Sequence, residues 1–260
     1  MPPALRSTTL AAVLLLLGTT TGCSLLAAPG DRTPGSDAPI PPKQVVLTAG
    51  QALDDAGGAR IDVAEEGPAG RRTASGTLAW GSRDEGDLTV TDELGTGRLT
   101  VRDGALDLAY QGGATKHADR ATAESLDPRA GAEPGGYAGG WMTGLVTSPG
   151  STAYAMAQSG TLGSLGGEQL AGTTVAHYRG SAPVADYFGA YQELTPERRA
   201  VVLAYYRQRG VAAIGFDVWV GPGGRLLRLR ETAQGSGGTV VTTTDVSTPG
   251  EADGTPTPTG

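Results

Sequence analysis

The stretch from Phe216 to Val246 constrains this chain most. Phe216, Val218 and Val220 alternate with Asp217 and Trp219, the period-2 pattern of a strand with one buried face. Gly221-Pro222-Gly223-Gly224 follows and predicts a tight turn, because glycine and proline supply the backbone angles that turns need. Leu227 and Leu229 then alternate with Arg228 and Arg230. After a Gly/Ser break, Thr239 to Val246 is rich in threonine and valine, which suit a pleated, half-buried surface. Three such runs joined by short turns form an antiparallel meander.

The same alternation recurs upstream. Ile61 and Val63 mark a strand over Arg60 to Glu66, and Leu78 and Trp80 mark one over Arg72 to Gly81. Leu88 and Val90 mark Asp87 to Asp92; Leu99 and Val101 mark Arg98 to Arg102; Leu106, Leu108 and Tyr110 mark Ala105 to Tyr110. Asp103-Gly104 between the last two predicts a type I′ hairpin turn. Lys116 to Glu124 and Gly172 to Arg179 read as further strands, while Gly160 to Gly167 fits no single pattern. Asp127 to Gly140, rich in proline and glycine, reads as a loop. Helical spacing appears over Val45 to Ala56, over Ser151 to Ala157 behind Ser148-Pro149, and over Thr195 to Gln208. The last has Thr195 placed to cap it, Pro196 at its first position, and Val201, Val202, Tyr205 and Tyr206 on one stripe. Its face toward the sheet is expected to carry Val201, Val202 and Tyr205, with Arg198 and Arg207 toward water; Gly210 closes it. Many strands with few helices make an α+β domain in which helices cover one antiparallel sheet.

The ends of the chain differ from its middle. Residues 1–22 carry one charge, Arg6, then the apolar run Leu10 to Leu17, then small residues: a signal peptide, too short to span a bilayer. Cys23 follows as the one cysteine of the chain, so no internal disulfide can form. Small residues before a cysteine at this point match a bacterial lipobox, in which the thiol receives diacylglycerol and the cysteine becomes the new N-terminus. Thr20 stands where that pattern usually has leucine. The alternative is an ordinary signal peptide that contains a cysteine. Residues 23–42, with Pro29, Pro34, Pro39, Pro41 and Pro42, cannot bury enough apolar surface to fold and read as a tether. A domain over 43–246 and a disordered tail over 247–260 complete the expected organisation.

The formal charge of −7 gives no electrostatic footprint for nucleic acid and none for adhesion to anionic head groups. No H-E-x-x-H, G-x-S-x-G, S-x-x-K or P-loop pattern occurs, so the expectation is a protein that is not an enzyme and needs no cofactor. His117 and His177 are the two histidines; a metal site built from both with a carboxylate competes with their reading as ordinary strand residues. Asp54-Asp55 and Glu65-Glu66 are adjacent, so their side chains diverge in regular structure and read as solvated charge. Trp80, Tyr110, Trp141, Tyr187, Phe188, Tyr205, Tyr206 and Trp219 read as core or as the lining of an apolar cleft.

The segment G-T-T-V-A-H-Y-R-G at 172–180, and D-V-W-V at 217–220 followed by a Gly turn and R-L-L-R-L-R, resemble the actinobacterial LppX/LprG-type envelope lipoproteins, relatives of the LolA lipoprotein-localisation factors. That family often has an acidic residue in the turn that is Gly221-Pro222-Gly223-Gly224 here. The resemblance implies a curved antiparallel half-barrel with helices across its concave face. It also implies an apolar cavity that holds an acylated lipid or glycolipid and moves it within the envelope. On that reading the protein sits, lipid-anchored, on the extracytoplasmic face of a Gram-positive cell membrane. The cavity would be lined by the apolar parity of the strands: Leu78, Trp80, Leu88, Val90, Leu99, Val101, Leu106, Leu108, Tyr110, Phe216, Val218 and Val220. The rival is a surface module with a filled core that binds an envelope protein partner in a sensor or accessory role. An enzyme acting on wall polymer stands third.

Overall fold

The computed structural model describes residues 39–81, 84–92, 95–103, 105–113, 116–119, 141, 144–192 and 194–247, with backbone alone for 116–119 and 198. The expectations for the signal peptide, Cys23, most of the tether, Gly104, the loop at 127–140, the Arg198 side chain and the tail beyond 247 lie outside the described residues.

The fold is α+β, one curved antiparallel sheet with helices across its concave face. The strands are β1 (Gly58–Gly67), β2 (Gly70–Ala79), β3 (Glu85–Asp92), β4 (Gly95–Arg102), β5 (Ala105–Tyr110), β6 (Lys116–Asp119), β7 (Thr161–Leu170), β8 (Thr173–Pro183), β9 (Ala213–Val220), β10 (Leu226–Gly235) and β11 (Gly238–Ser247). They form an 11-stranded sheet in the order β6-β5-β4-β3-β2-β1-β11-β10-β9-β8-β7. Every pairing is antiparallel. The expected C-terminal meander is β9-β10-β11, and it closes against β1, so two runs of strands consecutive in sequence join at the middle of the sheet. Asp103 takes φ 50, as the hairpin turn between β4 and β5 requires.

The ambiguous stretch at 160–167 is β7, an edge strand. Its register shifts between Ser164 and Gly166, and the intervening Leu165 is 55% exposed. A bulge at an edge interrupts the row of backbone groups that a second chain could pair with.

Among the described residues the α-helices with defined bounds are α1 (Pro42–Asp55), α2 (Pro149–Ser159), α3 (Val184–Ala190) and α4 (Pro196–Gln208). Ser148 caps α2 by accepting from the Gly150 N–H at 3.1 Å. Gly210 ends α4 at φ 67, a conformation that costs glycine little. In α4, Val202 is buried, Val201 half-buried and Arg207 exposed. Helix α3 has no counterpart in the sequence reading, although Val184, Tyr187, Phe188 and Tyr191 recur at i, i+3, i+4 and i+7.

Two apolar clusters occupy the concave side. One joins Val46, Ala49, Ala153, Met156, Tyr187 and Phe188 of the helices to Ile214, Phe216, Val218, Val220 and Leu229 of the sheet. Phe216 lies against Gly180, where a Cβ would sit 1.9 Å from the Thr161 carbonyl oxygen, so only glycine fits there. The other cluster joins Leu78, Leu88, Val90, Leu99, Val101, Leu106 and Leu108 of β2–β5 to Trp141, Leu145 and Val146.

Candidate ligand cavity

Between the two clusters the concave face is not filled. A cavity of about 280 Å³ lies between the middle strands and the helices, close to the lower end of ordinary small-molecule pockets. Its floor follows from strand parity. Ile61, Val63 and Glu65 of β1 point the same way, as do Val240, Thr242 and Thr244 of β11 and Leu229, Glu231 and Ala233 of β10. Register sets them in rows: Val63 opposite Thr244 and Thr244 opposite Leu229; Glu65 opposite Thr242 and Thr242 opposite Glu231. The roof comes from Trp141 and Leu145, from Phe188 and Tyr191 at α3, and from Tyr205 and Tyr206 of α4.

The floor therefore carries its two carboxyl groups in one row, with Val63, Thr244 and Leu229 on one side of it and Val240 opposite Ala233 on the other. Glu65 faces the cavity and pairs with Arg72 at 3.0 Å, with both side chains mostly buried. Its neighbour Glu66 points outward to Arg71 at 3.8 Å, so the Glu65-Glu66 pair diverges as strand geometry demands. Asp54 and Asp55 diverge too: Asp54 accepts from Ser148, and Asp55 from Gln51.

Glu231 has a different setting. Its Oε1 accepts from the Tyr187 hydroxyl at 2.6 Å. Tyr187 spends its one hydrogen there, so the Tyr191 hydroxyl, 3.0 Å away, donates to the Tyr187 oxygen. Burial pushes the Glu231 carboxyl up from its ordinary range; the Tyr187 hydrogen bond opposes that rise, and the charge of Glu65 adds to it. Burial likewise pushes the Tyr206 hydroxyl well up, and the Glu231 charge adds to the rise. The Trp141 indole N–H, buried at the cavity wall, has no hydrogen-bond partner among the described residues.

No protein-family model and no curated protein matches the chain. Among solved structures it is similar to LprF from Mycobacterium bovis (12% identity, TM-score 0.45, covering 79% of this chain and 90% of that one). It is also similar to the Mycobacterium tuberculosis lipoprotein LppX (12% identity, TM-score 0.45, 78% and 94%). A LolA-superfamily protein from Nitrosomonas europaea matches at 9% identity and TM-score 0.31, over 80% and 92%. The likeness is one of fold.

The residues that the alternation pattern singled out as cavity lining lie to either side of the cavity. Leu78, Leu88, Val90, Leu99, Val101, Leu106 and Leu108 are packed in the β2–β5 cluster, with Trp80 and Tyr110 against it. Phe216, Val218 and Val220 are packed in the other cluster. None of them is among the described residues that line the cavity. Of the aromatic residues singled out, Trp141, Phe188, Tyr205 and Tyr206 reach it; Tyr191 joins them without having been singled out. Thr242, Thr244 and Glu231 were visible as one-face residues of strands, but nothing local distinguished them from solvent-facing polar positions.

The sequence marks that carried the family resemblance lie on β8, β9 and β10, and those on β8 and β9 meet beside β7. His177 bonds Asp217 at 2.7 Å through Nε2 and Glu168 at 3.0 Å through Nδ1, and stacks on Trp219 with centroids 4.4 Å apart. Arg179 also donates to Asp217 at 2.7 Å, and the Trp219 indole N–H donates to Glu168. The Trp219 hydrogen bond is the leading cause that lowers the Glu168 carboxyl below its ordinary range. This closed network ties three strands together. His117 stands on β6, near the opposite edge of the sheet order from β8. Among the described residues no three potential ligands gather into a metal site.

Proposed function

We propose that the cavity receives the acyl portion of a lipid or glycolipid, and that the protein is a non-enzymatic carrier in the cell envelope. The observation that carries this reading is the unfilled, largely apolar space between sheet and helices, flanked on both sides by packed core. An acyl chain entering such a space gains roughly 0.8 kcal/mol per methylene removed from water, so affinity should rise with chain length until the space is full. The same reading places diacylglycerol on Cys23 behind a cleaved signal peptide, holds the protein on the extracytoplasmic face of the membrane, and makes residues 23–42 the tether. Cys23→Ala should abolish incorporation of labelled palmitate; label that persists in the variant would remove the anchor.

The test of the cavity is organic extraction of the purified protein followed by mass spectrometry, with binding of a fluorescent acyl-chain probe to the delipidated protein. Co-purifying lipid and saturable probe binding are expected. No lipid and no probe binding would leave the rival, a module that recognises a protein partner.

A further inference from the structure

We propose that the amphiphile held here carries an amine, and that its ammonium group is seated against Glu231 beneath the tyrosine-rich roof. The inference rests on the cavity binding an apolar chain, and it names the head group.

Among the described residues, Glu231 is the cavity carboxyl without a cation. Among the described residues its one hydrogen-bonding partner is the Tyr187 hydroxyl on Oε1, and it forms no ion pair. Glu65 has Arg72 at 3.0 Å. The other cation among the described wall residues, Arg209, lies against a ring: its guanidinium is 3.7 Å from the centroid of Tyr205. Those positions give Glu231 no counter-charge, so an acid in a mostly apolar space waits for one from outside.

The roof supplies the second half of an ammonium site. Tyr191, Tyr205 and Tyr206 line the same cavity as Glu231. Their neighbouring rings stand close, with Tyr205 and Tyr206 at 5.2 Å and Phe188 between Tyr206 at 5.0 Å and Tyr191 at 5.8 Å. Electron-rich ring faces attract cations. Arg209 over Tyr205 is an instance of that attraction on this very wall. Carboxyl and ring faces together favour an ammonium over a neutral hydroxyl, and they repel a carboxylate. An arriving ammonium also favours the ionised form of Glu231, against the burial that otherwise opposes it.

The experiment uses a neutral naphthalene-type fluorescent probe bound to the delipidated protein. It is competed at pH 7 by dodecylamine, dodecanol and dodecanoate, each below its micelle concentration. The amine is expected to displace the probe at a concentration at least tenfold lower than the dodecanoate, with the alcohol between them. In Glu231→Gln, with neutral-probe affinity retained, that ratio should fall toward one. Equal competition by the three in the wild type, or preference for dodecanoate, overturns the amine assignment while leaving the cavity standing. A preference that survives in Glu231→Gln overturns the role of Glu231. Absence of neutral-probe binding in the wild type overturns the cavity reading and this one with it. The wild-type ratio decides even where the variant does not fold.

Discussion

Two regions of one concave face share a strand parity and have opposite contents. Across β2–β5 the inward positions include Leu78, Leu88, Leu99, Val101 and Leu108, none more than 4% exposed, and they interdigitate with Trp141 and Leu145. Across β1, β11 and β10 the inward positions include Thr242, Thr244, Glu231 and Ala233, and a cavity stands over them. Trp141 and Leu145 cover the first region, and with α3 and α4 they cover the second. Alternation decides which face is covered, and side-chain length decides whether the covered face is full. Leucine reaches across to the opposing layer; threonine and alanine stop short of it. A carboxyl adds polarity that an apolar filling side chain would leave unpaired.

The sharpest way to break this comparison is to empty the full region. Leu99, fully buried between Leu88 and Leu108 in register, should cost about 2–5 kcal/mol as Leu99→Ala, because the lost contacts leave a void. Denaturant unfolding measures it; a loss near zero would mean that the β2–β5 region is not packed.

Next in size is one residue added to each region. Leu108→Trp puts an indole where the core is full, and overpacking should cost roughly 1–3 kcal/mol. Ala233→Trp puts the same indole into the cavity, where it meets space, so its cost should stay under about 1 kcal/mol while probe binding is lost. Thermal unfolding and probe titration of both variants separate the regions. Equal destabilisation with probe binding intact in both would erase the distinction drawn here.

Much of the fold was legible because it is local. The meander from Phe216 to Val246, the Asp103-Gly104 hairpin, the Ser148-Pro149 start of α2 and the Thr195-Pro196 start of α4 are each written within a few residues. The cavity is not local. It depends on Glu65, Thr242 and Glu231, far apart in sequence, falling in one row across β1, β11 and β10. Parity alone pointed to the largest apolar residues, and those are the ones best able to fill space. Thr239 to Val246 signalled a strand, but its threonines said nothing of the void they face. Helix α3 carried a helical spacing of apolar residues, yet it is short, and Gly189 within it weakened the signal.

A smaller effect follows from Glu231, the cavity carboxyl with no ion pair among the described residues. Because burial raises the folded-state value for Glu231 above the unfolded one, the native state holds more protons between the two values. Stability should therefore rise as pH falls through the raised value toward the ordinary glutamate range, with the penalty fully present above it. Glu65, Arg72, Tyr191, Tyr205, Tyr206 and Arg209 face the same space, Tyr187 bonds Glu231 directly, and of these Glu65 is the carboxylate whose charge adds to the rise. Melting temperatures of ligand-free wild type and Glu231→Gln, taken from pH 4.5 upward, should converge in acid and diverge in favour of the variant as pH rises. Parallel curves would show that the acid pays no burial penalty.

The smallest effect is the most informative about the ligand-free cavity. Thr244 sits on its floor between Val63 and Leu229, and its hydroxyl bonds no described residue. If water fills the space, that hydroxyl is already satisfied, and Thr244→Val exchanges one solvated group for a methyl of similar size. Stability should then change by no more than about 0.5 kcal/mol. If the empty cavity is dry, the hydroxyl is an orphan whose removal should stabilise by about 1–3 kcal/mol. The polar row of Glu65, Thr242 and Glu231 beside it offers the partners that a resident water requires, so the wet outcome is expected. The same valine should tighten binding of the acyl probe, since the chain then displaces water from an apolar wall instead of stripping a hydroxyl. A gain in stability with no gain in probe affinity would place Thr244 against packed protein and return this part of the concave face to the filled region.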